Sequence, residues 1–183
     1  MAGETTNDPG GWICAALDRF EGPLILYATR LAGDGNAARD VVQDVFLRLC
    51  AQDRAKVEPR LAPWLFAVCR NRALDERRRR RAMHRESRSD VETLDAPGAT
   101  PEESAERRDS AAQALSAVDK LPEAQQEVVR LKFRHGLSYR EIAEVTGLSV
   151  SHVGVRIHEA IKALRGRLGA STPAARAAEG GLR

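Results

Sequence analysis

Between residues 36 and 51, Ala37, Val41, Val42, Val45, Phe46 and Leu49 recur at spacings of three and four. Arg39, Asp40, Gln43, Asp44 and Arg48 fill the gaps. That period predicts an amphipathic helix from Asn36 to about Ala51 with one buried stripe. Trp12 to Ala32 also reads as helix. A break is expected at Gly22-Pro23, where the ring removes an N–H and crowds the preceding turn, and Gly33-Asp34-Gly35 ends the segment. Gln52 to Ala62 is polar, contains Pro59 and reads as a loop. Pro63 suits the first turn of the next helix, which runs from Trp64 to about Met83 with Leu65, Val68, Cys69 and Leu74 inward.

The second half starts with a strong helix signal. Thr100 can cap, Pro101 takes the first position and Glu103 closes the box, giving a helix to about Asp119. Pro122 starts another, which stops at Gly136. Ser138 then caps a short helix with Glu141 three residues on. Ile142, Ala143 and Val145 give it an apolar side, and Gly147 supplies a turn residue that tolerates positive φ. Leu148 fills the corner and Ser149 caps the last helix. There Val153, Ile157, Ala160, Ile161, Leu164 and Leu168 form one stripe. Ser151, His152, Val155, Arg156, Glu159 and Lys162 are left outward. This is the layout of a helix-turn-helix whose second helix lies in a DNA major groove. An ordinary helical hairpin is the competing reading.

The predicted architecture is all-α: two small helical domains joined by a flexible acidic linker, with the helix-turn-helix at the C-terminal end. The boundaries are 11–88, a linker at 89–99, 100–169, and a disordered tail at 170–183. Aromatic residues are only 4% of the chain, so neither core is rich in rings. The net charge of +3 matters less than its distribution. Cys69 to Arg88 holds nine arginines against three acids, and Ser89 to Asp109 seven acids against two arginines. Lys120 to Leu168 holds nine basic residues against five acids. Two basic blocks flanking an acidic one suit two polyanion-facing modules and a linker that avoids or imitates the polyanion.

Cys14, Cys50 and Cys69 are odd in number, lack a C-x-x-C pair and sit among apolar helical residues, so buried reduced thiols are expected and a zinc site is not. No apolar run reaches membrane-spanning length, and the N-terminus is polar, which points to a cytoplasmic protein without membrane insertion. His84, His135, His152 and His158 are scattered, and no glycine-rich phosphate loop follows a strand. No catalytic residue, metal or cofactor is therefore expected. The basic helix admits two readings. Trp64, Arg70, Asn71 and the run Arg77 to Arg81 share it, which suits stacking on unpaired bases and gripping phosphates. A solvated charge run fits the same residues.

Taken together, FEGPLILYATRLAGDGNAARDVVQDVFLRL, APWLFAVCRNRALDERRRR and LPEAQQEVVRLKFRHGLSYREIAEVTGLSVSHVGVRIHEAIKALR resemble the extracytoplasmic-function (ECF) group of the bacterial sigma-70 RNA polymerase sigma factors, over roughly Asp18 to Leu168. The resemblance implies a non-enzymatic initiation factor. It would bind core RNA polymerase and recognise a −35 duplex and a melted −10 strand of promoter DNA. It implies polymerase β′ clamp-helix contacts at Asp40, Gln43, Asp44 and Arg48. It implies −10 contacts at Trp64, Arg70, Asn71, Arg77 and Arg78, with the preceding loop capturing a flipped base. It implies −35 contacts at Ser149, Ser151, His152, Val155, Arg156, Glu159 and Lys162. The second module would also rest on the β flap. Asp90, Glu92 and Asp95 would imitate RNA phosphates, and an anti-sigma factor would hold the protein inactive.

Two positions depart from the family's habit of basic residues. Gly154 weakens the helix by about 1 kcal/mol relative to alanine, or lets the backbone approach phosphates. Glu159 either accepts from a cytosine amino group or repels phosphate. A helix-turn-helix regulator that works without polymerase is the alternative function. It would need no base-capturing helix and would usually dimerise on a palindrome.

Overall fold

The computed structural model describes residues 9–86 and 105–169. The acidic linker, the Thr100 helix start and the tail after Gly169 lie outside the described residues. The described residues contain helices and turns but no strand. They form two compact units, the first holding the described residues before 87 and the second most of those after 104.

The first unit opens with α1 (Pro9–Ala32), which runs without a break through Pro23. The expected interruption is overridden by packing. Phe20, Leu24, Tyr27 and Ala28 are all buried on one side of α1, and Tyr27 meets Phe66 edge-on at 5.2 Å. Burying such side chains contributes about 1.5–3 kcal/mol each, enough to offset the cost of about 3 kcal/mol for an interior proline. Gly33 ends the helix at φ 78 and donates its N–H to the Thr29 carbonyl at 2.8 Å. Asp34 caps α2 (Gly35–Cys50) by accepting from the Asn36 N–H at 3.0 Å. The predicted buried stripe of α2 is present, with Ala38 added.

The expected loop is two short turns. Asp53 caps α3 (Arg54–Val57), and a 3₁₀ turn over Glu58–Arg60 leads directly into α4 (Leu61–Glu86). A local capping residue and a bidentate Arg54–Glu58 pair, both contacts 2.9 Å, hold this segment helical despite its polarity. On α4 the expected Leu65 and Cys69 are fully buried, but Phe66 and Ala73 take the remaining core positions. Val68 and Leu74 are only half-buried.

Only one of the three thiols is in the core. Cys14 and Cys50 are exposed. Cys14 lies off the face that carries Ala16 and Phe20, and Cys50 is the last residue of α2, beyond the buried Leu49. Burial pushes the Cys69 thiol up to about 12, so it stays protonated and inert.

The second unit holds α5 (Ala105–Asp119), α6 (Glu123–Phe133), α7 (Tyr139–Thr146) and α8 (Val150–Gly169). Leu121, Val129 and Ala160 form a core against which Val118, Ala163 and Leu164 pack. Polar braces close the corner before α6. Gln126 donates to the carbonyls of Asp119 and Leu121, both at 2.8 Å. Arg130 pairs with the Asp119 carboxylate at 2.5 Å. The sixth helix ends at Phe133 rather than at the glycine. Arg134 and His135 turn back onto the Arg130 carbonyl, and Gly136 takes φ 71.

Candidate nucleic-acid and polymerase interfaces

The helix-turn-helix is built as its sequence dictates. The Ser138 hydroxyl accepts from the Glu141 N–H at 3.3 Å, and the Glu141 carboxylate accepts from the Ser138 N–H at 2.7 Å. That backbone bond, then the Ser138 hydroxyl and the Lys132 charge, hold Glu141 below the usual carboxylate range. Gly147 takes the left-handed conformation at φ 73 and donates to the Ala143 carbonyl at 2.9 Å. The Ser149 hydroxyl accepts from the His152 N–H at 3.2 Å and so starts α8.

On α8, Val153, Ile157 and Ala160 are buried, while Ile161, Leu164 and Leu168 are half-buried. The opposite side carries the predicted set. Ser149, Ser151, His152, Glu159 and Lys162 are exposed, Val155 is 53% exposed, and Arg156 is half-buried. One helix therefore presents hydroxyl, imidazole, methyl, guanidinium, carboxylate and ammonium groups together. This matches the donors, acceptors and apolar contacts used on base edges.

Two details were not legible beforehand. Gln125 on α6 donates to the Glu159 carboxylate at 3.3 Å, so that acid already has a protein partner. A Cβ at Gly154 would point toward the Tyr139 ring, at 3.8 Å from its Cε2. The glycine's missing side chain thus faces Tyr139 on α7.

The first unit sorts the arginines of α4 by what they touch. Trp64, Arg70 and Arg77 are half-buried, while Asn71 and Arg78 are exposed. Arg78 pairs with Asp75 at 2.8 Å. Arg72 reaches Asp44 on α2, Nε to Oδ2, at 2.5 Å. Arg80 reaches Asp34, the cap of α2, and also Glu76 at 3.4 Å. The Asn36 N–H, and then Arg80, hold the Asp34 carboxyl below its ordinary value. Part of the basic block is therefore internal ion pairing, a sorting that spacing along one helix does not reveal.

Among the polymerase-contact candidates, Asp40, Gln43 and Arg48 are exposed. Asp44 is half-buried and also lies 3.2 Å from Arg48. Its Oδ2 is buried and within ion-pair distance of both guanidinium groups, although neither contact has hydrogen-bond geometry. Leu47 was missed: it is 63% exposed on the same side as Asp40 and Gln43. Its signal is an apolar residue three and four positions after polar ones, off the stripe that buries Phe46 and Leu49. Among the described residues, no helix is long and apolar enough to cross a membrane.

Known proteins with this arrangement give the class. Residues 17–83 match the family model for Sigma-70 region 2, and residues 111–164 match that for Sigma-70, region 4. The ECF RNA polymerase sigma factor SigL of Mycobacterium tuberculosis is 35% identical over 158 residues, covering 82% of this chain and 85% of the relative. The ECF RNA polymerase sigma factor EcfG of Rhodopseudomonas palustris is 33% identical over 140 residues, covering 75% and 74%. Two solved structures share the fold. The sigma factor RpoE of Bartonella quintana, in complex with the anti-sigma factor NepR, has a TM-score of 0.64 at 21% identity and covers 87% of this chain and 98% of that one. CnrH, in complex with the cytosolic domain of CnrY, has a TM-score of 0.54 at 27% identity and covers 89% and 91%. The chain is thus a sigma-70 protein with regions 2 and 4. Within that class it belongs to the ECF RNA polymerase sigma factors, which act in transcription initiation.

Proposed function

We propose that this chain divides promoter recognition between its two modules, region 2 at 11–88 and region 4 at 100–169. The outward face of α8, opposite the buried Val153, Ile157 and Ala160, is the observation that carries the reading. Ser149, Ser151, His152, Val155, Arg156, Glu159 and Lys162 meet the −35 duplex in its major groove. Arg156 and Lys162 supply positive charge, and Val155 an apolar contact for a thymine methyl. The module also rests on the polymerase β flap.

On the first module, Trp64, Arg70, Asn71, Arg77 and Arg78 meet the melted −10 strand. Extruding a base costs a few kcal/mol. Stacking on Trp64 and phosphate contacts from the arginines offset that cost. The exposed side of α2, with Asp40, Gln43, Leu47 and Arg48, docks on the clamp helices of the β′ subunit. Asp44 supports it from a half-buried position. The factor performs no covalent step of its own and works in the cytoplasm. Two relatives in fold are held by anti-sigma factors or a partner's cytosolic domain, and we extend that mode of control to this chain.

Reconstitution tests the proposal. The protein is added to core polymerase with a genomic template library, and promoter-specific transcripts are sequenced. Transcripts sharing −35 and −10 elements are expected. Tight duplex binding without any transcript would instead support a regulator that acts without polymerase.

A further inference from the structure

The arginines of α4 do not all stand in the same relation to their surroundings. Arg78 and Arg79 keep 76% and 74% of their side chains exposed. Arg72 and Arg80 keep only 42% and 39% and end on carboxylates of α2. The two attachments run in opposite directions along the two helices. The earlier arginine takes the later acid, Asp44, and the later arginine takes Asp34. Ten residues separate the acids, about 15 Å along α2, and eight separate the arginines, about 12 Å along α4. Two contacts that far apart restrain both sliding and rotation of one helix on the other.

Each acid is also held from its own side. Asp34 accepts the Asn36 N–H, and Asp44 lies beside Arg48 with its Oδ2 buried. A guanidinium that left such a pair for a phosphate would take a positive charge away from a half-buried carboxylate.

We propose that Arg72 and Arg80 are positioning residues that lock α4 onto α2, so that docking α2 on polymerase sets the place of the strand-contacting face of α4. This rests on the division of roles proposed above. It assigns the arginines of one helix to two jobs: Arg78 and Arg79 face the polyanion, while Arg72 and Arg80 hold the register.

The test is a pair of double-mutant cycles in the full chain bound to core polymerase, read as the fraction of promoter opened at saturating protein. One cycle is Arg72→Gln with Asp44→Asn. The other is Arg80→Gln with Asp34→Asn, in which asparagine keeps the helix cap. Each single change should lower opening about threefold to tenfold, and each double change should be no worse than its singles. The salt dependence of promoter binding should keep its slope in Arg72→Gln and Arg80→Gln. It should lose about 0.7–0.9 in Arg78→Gln or Arg79→Gln, as a lost phosphate contact requires.

Three results overturn the proposal while wild-type opening is intact. Additive losses with a reduced salt slope would make these arginines phosphate ligands. Opening that rises in Asp44→Asn and Asp34→Asn would do the same. A lowered melting temperature with unchanged opening would reduce the pairs to fold stability alone. Failure of the wild-type protein to open any promoter would overturn the underlying division of roles, and the positioning role with it.

Discussion

Replacing Gly154 with alanine should stabilise the second unit without weakening its hold on DNA. The position lies inside α8, with four residues before it in the helix and fifteen after it. Its φ is not among the positive glycine values, which belong to Gly33, Gly136 and Gly147. The added Cβ would meet only Tyr139 Cε2, at 3.8 Å, an ordinary van der Waals separation. No strain therefore opposes the gain in helix propensity and the loss of unfolded-chain freedom, together about 1 kcal/mol. In a domain of this size that raises the melting temperature by about 4–8 °C.

Because the methyl points toward α7, affinity for a −35 duplex at fixed salt should stay within about twofold. Thermal melting by circular dichroism and duplex titration by fluorescence anisotropy measure the two quantities. An unchanged or lowered melting temperature would refute the packing argument. A rise in stability with a tenfold loss of affinity would mean that the glycine serves backbone approach to DNA after all.

Four further expectations follow from the same geometry. Arg156→Ala should cost about 1–3 kcal/mol in −35 duplex affinity and relax preference at one base pair; uniform weakening across sequences would make it a phosphate contact. Trp64→Ala should reduce promoter opening by about fivefold or more, the scale of one lost base stack, while duplex binding holds; equal losses in both would contradict a melting role. Leu47→Asp should leave the melting temperature nearly unchanged, since the side chain is 63% exposed, yet weaken core-polymerase binding about tenfold or about 1.4 kcal/mol; undiminished binding would remove Leu47 from that face. His135 is pushed from 6.5 down to about 4 by burial and then by the Arg134 charge, so its contribution to stability is present above 6.5 and is lost as pH falls toward 4. Melting of the second unit should drop across that window and drop less in His135→Gln; identical profiles would exclude the imidazole as the cause.

Local chemistry made much of this molecule legible from its residues. The stripe of α2 is a simple 3.6-residue period. Ser138 with Glu141, Gly147 and Ser149 are each tied to a single backbone need: an unpaired N–H or a positive φ. Such features depend on neighbours a few positions away, so reading them requires no knowledge of the fold. The outward face of α8 followed for the same reason, because one buried stripe fixes what remains outside.

Other features depended on groups far apart in the chain. The first helix runs through Pro23 because its buried face packs against the rest of its unit, and that burial outweighs a local penalty. Asp44 meets Arg72 from another helix, and the division among the arginines of α4 comes from where α2 and its cap place their acids. Gln125 meets Glu159 across 34 positions. Which neighbour a side chain at position 154 would meet is seen only from Tyr139 beside it. Residue pattern alone determined most of the longer helices, the caps of the helix-turn-helix and its solvent-facing side, since these follow from short-range hydrogen bonding and periodicity. Tertiary structure alone decided which charges are spent inside the protein and which remain for DNA and polymerase, since Coulomb pairing depends on distance in space.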